Sequence, residues 1–383
     1  MRVGVIYDFG VNKGGGDFVM LNILEALIKA YDTTLITSKL SGFYEAEEFF
    51  DKKINRIGIH EIKKQSLFRH PYTIAQMARD VKEGSYDLFV LSDDIPKCLA
   101  NKRVLSYIHY PHVARLKFGG YMMRKYVKTF KGRVEWWLHK KFFRLFYPVE
   151  RISDKWLLVV NSMVTMEDTM KIFKLGGERL VLLNPPVSSA FINALYKNSH
   201  ITKEDLIVSI GWFEPVKGLV DVVKALALLE DEYRPNLRLI GFAGDETYLK
   251  ELIKTAEILG VKNKVDIFLN ARRDVLINSL LRAKVIINSA LREHFGISIV
   301  EGMAAECIPI VRKGFNGPWM EVLQEGKHGL GFETVEELAF NIKKAVRTYD
   351  DFDTHKIALR ALEFDEKHFR DRFLEIVKHF LNQ

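Results

Sequence analysis

Short apolar runs alternate with longer amphipathic stretches along almost the whole chain. In the first half the runs Val3–Tyr7, Thr33–Thr37, Ile54–His60, Tyr86–Ser92, Arg103–Ile108, Trp156–Asn161 and Arg179–Leu183 read as strands. Between them, apolar residues at helical spacing predict helices over Asp17–Ala30, Pro71–Lys82 and Thr165–Phe173. An irregular stretch from Ser188 to Lys203 reads as a linker, and the alternation then restarts. Strands are predicted at Leu206–Ile210, Leu237–Ile240, Val265–Leu269, Ala283–Ile287 and Ile308–Val311, and helices at Leu219–Leu229, Glu246–Leu259, Asp274–Arg282 and Pro318–Gln324. The chain closes on three helices, near Val335–Tyr349, Asp353–Phe364 and Lys367–Leu381. Strand and helix in alternation argue for parallel sheets, an α/β chain, and 383 residues are enough for two or three domains.

Chemistry concentrates where predicted strands turn into helices. After the first strand comes Asn12-Lys-Gly-Gly-Gly16, whose glycines let backbone N–H groups approach a phosphate closely, or simply make a tight turn. After Leu206–Ile210 comes Gly211-Trp-Phe-Glu-Pro-Val-Lys217-Gly218, with a cation at the start of a helix. After Ala283–Ile287 comes Asn288 to Ala305, in which Glu293-His-Phe-Gly296 leads into a helix carrying Glu301. A helix that starts there offers free N–H groups and the positive end of its dipole, a site for phosphate or a sugar hydroxyl. Glu293 and Glu301, with seven residues between them, can reach different parts of one polyhydroxylated ligand. His109 lies just past a predicted strand end, in His109-Tyr-Pro-His112, where ligands of open α/β sheets gather.

Glu293-His294-Phe295-Gly296-Ile297 through Glu301-Gly302-Met303-Ala304-Ala305 resembles the E-x7-E signature of the family-four GT-B glycosyltransferases. Within that family it looks most like the mannosyltransferases that extend the dolichol-linked oligosaccharide. Gly317-Pro318, His109-Tyr-Pro, Asn161-Ser162 and Pro185-Pro186-Val187 resemble further segments of the same family. The resemblance implies a GT-B fold, two Rossmann-like domains facing a cleft. An acceptor-side domain would span 1–187, a nucleotide-sugar-binding domain 204–364, and a C-terminal helix over 365–383 would return to the first domain. It further implies a retaining, metal-independent transfer of a hexose, mannose favoured, from a nucleotide sugar, GDP-mannose favoured, to a glycan or lipid-linked acceptor. By the same resemblance Glu293 holds the donor sugar, Glu301 the ribose and Lys217 the diphosphate, with His109 beside the sugar. Gly15, Gly16, Gly244, Phe295, Gly296 and Ile297 complete the donor-binding set. The sequence departs from the pattern at Trp212, where the family usually has Arg, and at Glu214, where some mannosyltransferases do. Arg272, Arg292 and Arg312 are the candidates for a second cation.

Composition adds limits. Cys98 and Cys307 are the two cysteines and have no metal-ligand spacing. The opening Met1-Arg-Val-Gly-Val-Ile reads as a strand rather than a signal peptide, no stretch of 18 apolar residues predicts a membrane span, and a cytoplasmic location is expected. A net charge of +8 points to an anionic partner. From Arg115 to Trp156 basic and aromatic residues interleave, among them Arg124, Lys125, Tyr126, Lys128, Trp136, Trp137, Lys140, Lys141, Phe142, Phe143 and Arg144. That composition suits an anionic membrane surface, a core plus a solvated basic face, or nucleic acid, although no known nucleic-acid module accompanies it. Asp351-Phe-Asp353 matches the metal-chelating D-x-D of other glycosyltransferases but lies where a helix cap is expected. The competing function classes are a sugar-nucleotide epimerase or phosphorylase on the same fold, and a non-enzymatic binder of an anionic ligand.

Overall fold

The structure, a computed structural model, describes residues 1–10, 13–62, 70–81, 84–111, 113, 130–148, 152–173, 179–191, 193 and 201–383. It divides into two compact units, Met1–Asn184 with Phe369–Gln383, and Pro185–His368.

Among the described residues the first unit holds seven strands: β1 Arg2–Ile6, β2 Asp32–Thr37, β3 Gly58–Glu61, β4 Leu88–Ser92, β5 Val104–Ile108, β6 Trp156–Val160 and β7 Leu180–Leu182. They lie in the order β3-β2-β1-β4-β5-β6-β7, each pairing parallel to its neighbour. The central strands read as unbroken apolar runs because both faces are covered: every residue of β5 and β6 is buried. Between strands run α1 Gly15–Leu27, α2 Leu40–Phe49, α3 His70–Asp80, α4 Phe130–Phe146 and α5 Met163–Phe173. β3 is shorter than the predicted Ile54–His60. Ile54 is buried, but its N–H donates to Glu47 Oε1 at 2.5 Å rather than to a ladder, and pairing starts only at Gly58.

The second unit repeats the plan with six strands: β8 Glu204–Trp212, β9 Asn236–Phe242, β10 Val265–Leu269, β11 Ala283–Asn288, β12 Ile308–Arg312 and β13 Leu330–Phe332. Their order is β10-β9-β8-β11-β12-β13, again all parallel. Its helices are α6 Leu219–Ala227, α7 Glu246–Ile258, α8 Arg273–Arg282, α9 Ile297–Ala304, α10 Val335–Arg347 and α11 Thr354–Leu362. Pro318–Val322, expected as an α-helix, forms a π-helical turn. Val187 belongs with this unit, its N–H donating to Phe364 O at 2.7 Å. In both sheets the order reverses between the first and fourth strands of the unit, which opens a crevice at their carboxyl ends.

The last helix, α12 Glu366–Leu381, starts in the second unit and continues in the first. Within the first unit Arg370 Nη1 donates to Asn22 Oδ1 at 2.9 Å and Glu25 Oε2 at 2.8 Å, and the Phe369 ring meets Tyr107 edge-on at 5.8 Å.

Candidate functional site

β8 and β11 are the pair between which the second sheet reverses, and the loops after them hold the chemistry. β8 ends at Trp212 and passes through Pro215–Lys217 to Gly218. β11 ends at Asn288 and runs through Ser289–Phe295 to Gly296 and α9. The two loops are tied together: Leu291 N donates to Val216 O at 2.9 Å and Ser289 Oγ to Lys217 O at 2.8 Å. This brings Lys217 Nζ to 2.6 Å from Glu293 Oε2.

Glu293 is fixed by more than its cation. Its backbone N–H donates to Asn316 Oδ1 at 2.6 Å, and its carbonyl accepts from Gly317 N at 3.0 Å. Asn288 Nδ2 reaches Oε2 at 3.4 Å, and His294 N donates to Oε1 at 3.2 Å. Burial pushes the Glu293 carboxyl upward, but the Lys217 ammonium and its hydrogen bond outweigh burial, aided by His294 and Asn288. The net result is a carboxyl held below the ordinary range and a site that keeps a carboxylate beside a cation.

Gly296 starts α9 in the left-handed region, φ 84° and ψ 58°. A Cβ there would fall 2.7 Å from Pro318 Cγ, so Gly is required on two counts. The first-turn amides that follow, Ile297 and Ser298, have no acceptor inside the helix and sit at its positive end. Gly296 is also next to the ion pair, a Cβ there lying 3.6 Å from Glu293 Cγ. Farther along α9, Glu301 is half-buried, and removal of water pushes its carboxyl up to about 7 in spite of the Arg273 charge. Gly302 lets this helix lie against β11, since a Cβ would meet Ile286 at 2.6 Å. Gly244 follows β9 and abuts the β8 loop, a Cβ there lying 2.6 Å from Glu214 Cγ.

In the first unit the carboxyl ends of β1 and β5 hold a second cluster. Gly15 and Gly16 form the first turn of α1, and Asp17 caps the loop before it, accepting from Gly14 N at 3.1 Å and Gly10 N at 3.2 Å. Tyr7 donates its hydroxyl to Asp17 Oδ1 at 3.1 Å. A Cβ on Gly16 would lie 3.6 Å from both His109 Nε2 and the Tyr7 hydroxyl. The turn carrying His109 is held by Asp93, whose Oδ1 accepts from His109 N at 2.9 Å and Tyr110 N at 3.0 Å. Burial lowers the His109 pKa against the pull of Asp93 and Asp17, so the neutral ring is favoured near neutrality.

The structure therefore brings Lys217, Glu293 and Gly296 together, and separately Gly16 and His109. Glu301 has Arg273 as its charge partner, not Lys217. The Phe295 ring packs edge-on against Phe364 in the core, 5.2 Å between centroids, so a ligand contact from this residue is left to its backbone. Arg312, a candidate second cation, is paired with Asp221 at 2.7 Å, and Arg272 with Asp274 at 3.1 Å. The Arg292 guanidinium stacks over Phe315 at 5.8 Å. Asp353 caps α11 by accepting from Lys356 N at 2.9 Å. His112 and the stretch 115–129 lie outside the described residues. Sequence reasoning missed Asn316, Asp93 and Arg273. Asn316 directly precedes the noted Gly317-Pro318, and that was the available signal.

The model of the family "Glycosyl transferases group 1" matches residues 193–354. A human GDP-Man:Man(3)GlcNAc(2)-PP-Dol alpha-1,2-mannosyltransferase is 27% identical over 245 residues, covering 59% of this chain. The match takes in 49% of that protein, so the chain spans about half the length of this relative. A glycosyltransferase from Rickettsia africae superposes with a TM-score of 0.70 at 17% identity, over 99% of this chain and 98% of that one. Anabaena HepE in complex with UDP-glucose superposes with a TM-score of 0.69 at 16% identity, over 99% of this chain and 100% of that one. The likeness to such structures, with the two parallel sheets, gives a two-domain GT-B fold.

Proposed function

We propose that this chain, whose residues 193–354 match the model of the group 1 glycosyl transferases, moves a mannosyl group from GDP-mannose to a glycan or lipid-linked acceptor with retention of anomeric configuration. The observation that carries the reading is the Lys217–Glu293 pair, 2.6 Å apart beside the N-terminus of α9 at the sheet's reversal point. The name of the human relative, which begins with GDP-Man, supports the choice of donor.

In this reading the bond from the sugar to the diphosphate breaks as the acceptor hydroxyl attacks from the same face and gives its proton to the leaving phosphate oxygen. Negative charge grows on the leaving phosphate oxygen. Lys217 leaves Glu293 for that oxygen, and the amides of Ile297 and Ser298 supply aligned N–H groups beside it. Glu293 then accepts hydrogen bonds from the sugar hydroxyls. Its depressed pKa keeps it an acceptor on both oxygens at working pH. Glu301 accepts from the ribose hydroxyls, with Gly244 and Phe295 contributing backbone. For the first unit the proposal assigns neutral His109 to a hydroxyl of the transferred sugar and the amides of Gly15 and Gly16 to the diphosphate. No metal is required, and the chain works on the cytoplasmic side.

Isothermal titration tests the division of labour. GDP should bind wild type more tightly than UDP. Glu301→Ala should weaken GDP by about 1.5–3 kcal/mol, the scale for losing a charged acceptor. Glu293→Ala should leave GDP affinity in place and abolish turnover. Equal GDP affinity in wild type and Glu301→Ala removes the ribose assignment.

A further inference from the structure

Helix α4 is amphipathic in an unusual sense, because both of its faces are apolar. Trp136 is 8% exposed and stacks on His139, and Phe143, fully buried, joins the first unit's core with Tyr147 just beyond the helix. The opposite face carries Val134, Trp137, Leu138, Lys141, Phe142 and Leu145. Trp137 is 54% exposed, Phe142 45% and Leu145 67%. At about 100° per residue these six positions fall within roughly 140° of arc, one continuous stripe rather than scattered apolar residues. Scattered exposed apolar residues need no explanation, but a continuous stripe on one helix marks a contact surface.

Charge selects the occupant. Phe130–Phe146 holds five basic residues, Lys131, Arg133, Lys140, Lys141 and Arg144, against one acidic residue, Glu135. Arg133, Lys140 and Arg144 fall along one border of the stripe, and Lys141 lies in it with its ammonium 4.0 Å from the centre of the Trp137 ring. Lys97 adds a further cation at the helix end, its Nζ donating to Arg144 O at 2.5 Å. A second copy of this face would bring like charges together, whereas a lipid surface offers hydrocarbon for the rings and anionic headgroups for the cations. Long basic side chains lying over aromatic rings are suited to that boundary, where the stem is buried and the charge stays wet.

We propose that this outer face of α4 docks the protein on an anionic phospholipid bilayer, with Trp137, Phe142 and Leu145 inserted at headgroup depth. No helix among the described residues is long and apolar enough to cross a membrane. The proposal does not rest on the transfer reading.

Flotation of the full chain with phosphatidylcholine vesicles, with and without phosphatidylserine, tests it. Wild type is expected to float with the anionic vesicles only, and less so at high salt. Lys140→Glu/Lys141→Glu/Arg144→Glu should weaken binding on the order of 100-fold, from roughly a fivefold loss per basic residue near the surface. Trp137→Ser/Phe142→Ser/Leu145→Ser should lose binding even at low salt. All six positions are exposed except Lys140, which is part-buried with its ammonium 5.6 Å from the Trp136 ring centre, and both variants should keep the wild-type circular dichroism melt. Brominated lipids should quench wild-type tryptophan fluorescence and leave the serine variant unquenched. Unaltered flotation of both variants would overturn the proposal. So would absence of vesicle binding together with a dimer that the serine variant abolishes, or with RNA binding that the charge reversal abolishes.

Discussion

Replacing Glu301 with Gln isolates the cost of a carboxyl that the fold keeps from water. Its pKa is pushed from 4.5 up to about 7, by burial first and with Arg273 pulling the other way. A carboxyl shifted that far makes ionisation in the folded state dearer than in the unfolded chain by about 3 kcal/mol. The sign follows from proton binding. The folded state holds the proton more tightly, so the stabilising contribution is complete below about pH 4.5 and is lost as pH rises through about 7. Gln mimics the protonated form and has no such dependence. Glu301→Gln should therefore exceed wild type by under about 1 kcal/mol at pH 5 and by up to about 3 kcal/mol at pH 8. In thermal unfolding of a unit this size that gap amounts to roughly 6–12 °C. The same titration should govern ligand binding if the ionised carboxylate accepts from the ribose. GDP affinity of wild type should then fall about tenfold from pH 8 to pH 6, while that of the Gln variant stays flat. Melting curves of the two proteins separated by the same interval at pH 5 and pH 8 would refute the reasoning, since Glu301 would then titrate as a solvated carboxyl.

Lys217→Ala should cut turnover by roughly 100-fold or more, the scale for one electrostatic stabiliser, and should do so in chelator-treated enzyme. Gly296→Ala should destabilise by about 1–3 kcal/mol in urea unfolding, because a left-handed backbone at a functional site tolerates Cβ poorly, and the cost should rise with the Pro318 contact. Arg370→Ala should cost about 1–3 kcal/mol, since it breaks charged hydrogen bonds to Glu25 and Asn22, and Arg370→Lys should restore only part of it.

The parallel sheets are legible because central strands such as β5 and β6 are covered on both faces and read as apolar runs. At the edges the outcome is mixed: Val265–Leu269 matches the edge strand β10 to the residue, whereas β3 does not match. All of β3 is exposed, so buried Ile54 drew the predicted strand four residues too early. α2 buries only Gly42, Phe43 and Ala46 and gave no periodic signal, and β13 is three residues long. At the site, the sequence could point to Lys217 and Glu293 but not to their 2.6 Å pairing, which depends on two loops 76 residues apart being tied by Ser289 and Leu291. Asn316 stands beside the noted Gly317-Pro318, but its role is hidden for the same reason: its amide oxygen accepts from Glu293 N 23 residues away. In the basic-aromatic stretch, composition left every ring unassigned. The packing of α4 sends Trp136 and Phe143 inward and leaves Trp137 and Phe142 outside.

Donor turnover tests the central claim most directly. Purified protein treated with EDTA should be given GDP-mannose, UDP-glucose and UDP-N-acetylglucosamine in turn, and release of the nucleoside diphosphate followed with and without glycan or lipid-linked acceptors. GDP-mannose should be consumed fastest, and Glu293→Ala should lose that activity while still binding GDP. Absence of turnover with every donor, or activity that appears only on adding Mn²⁺ or Mg²⁺, would contradict the account.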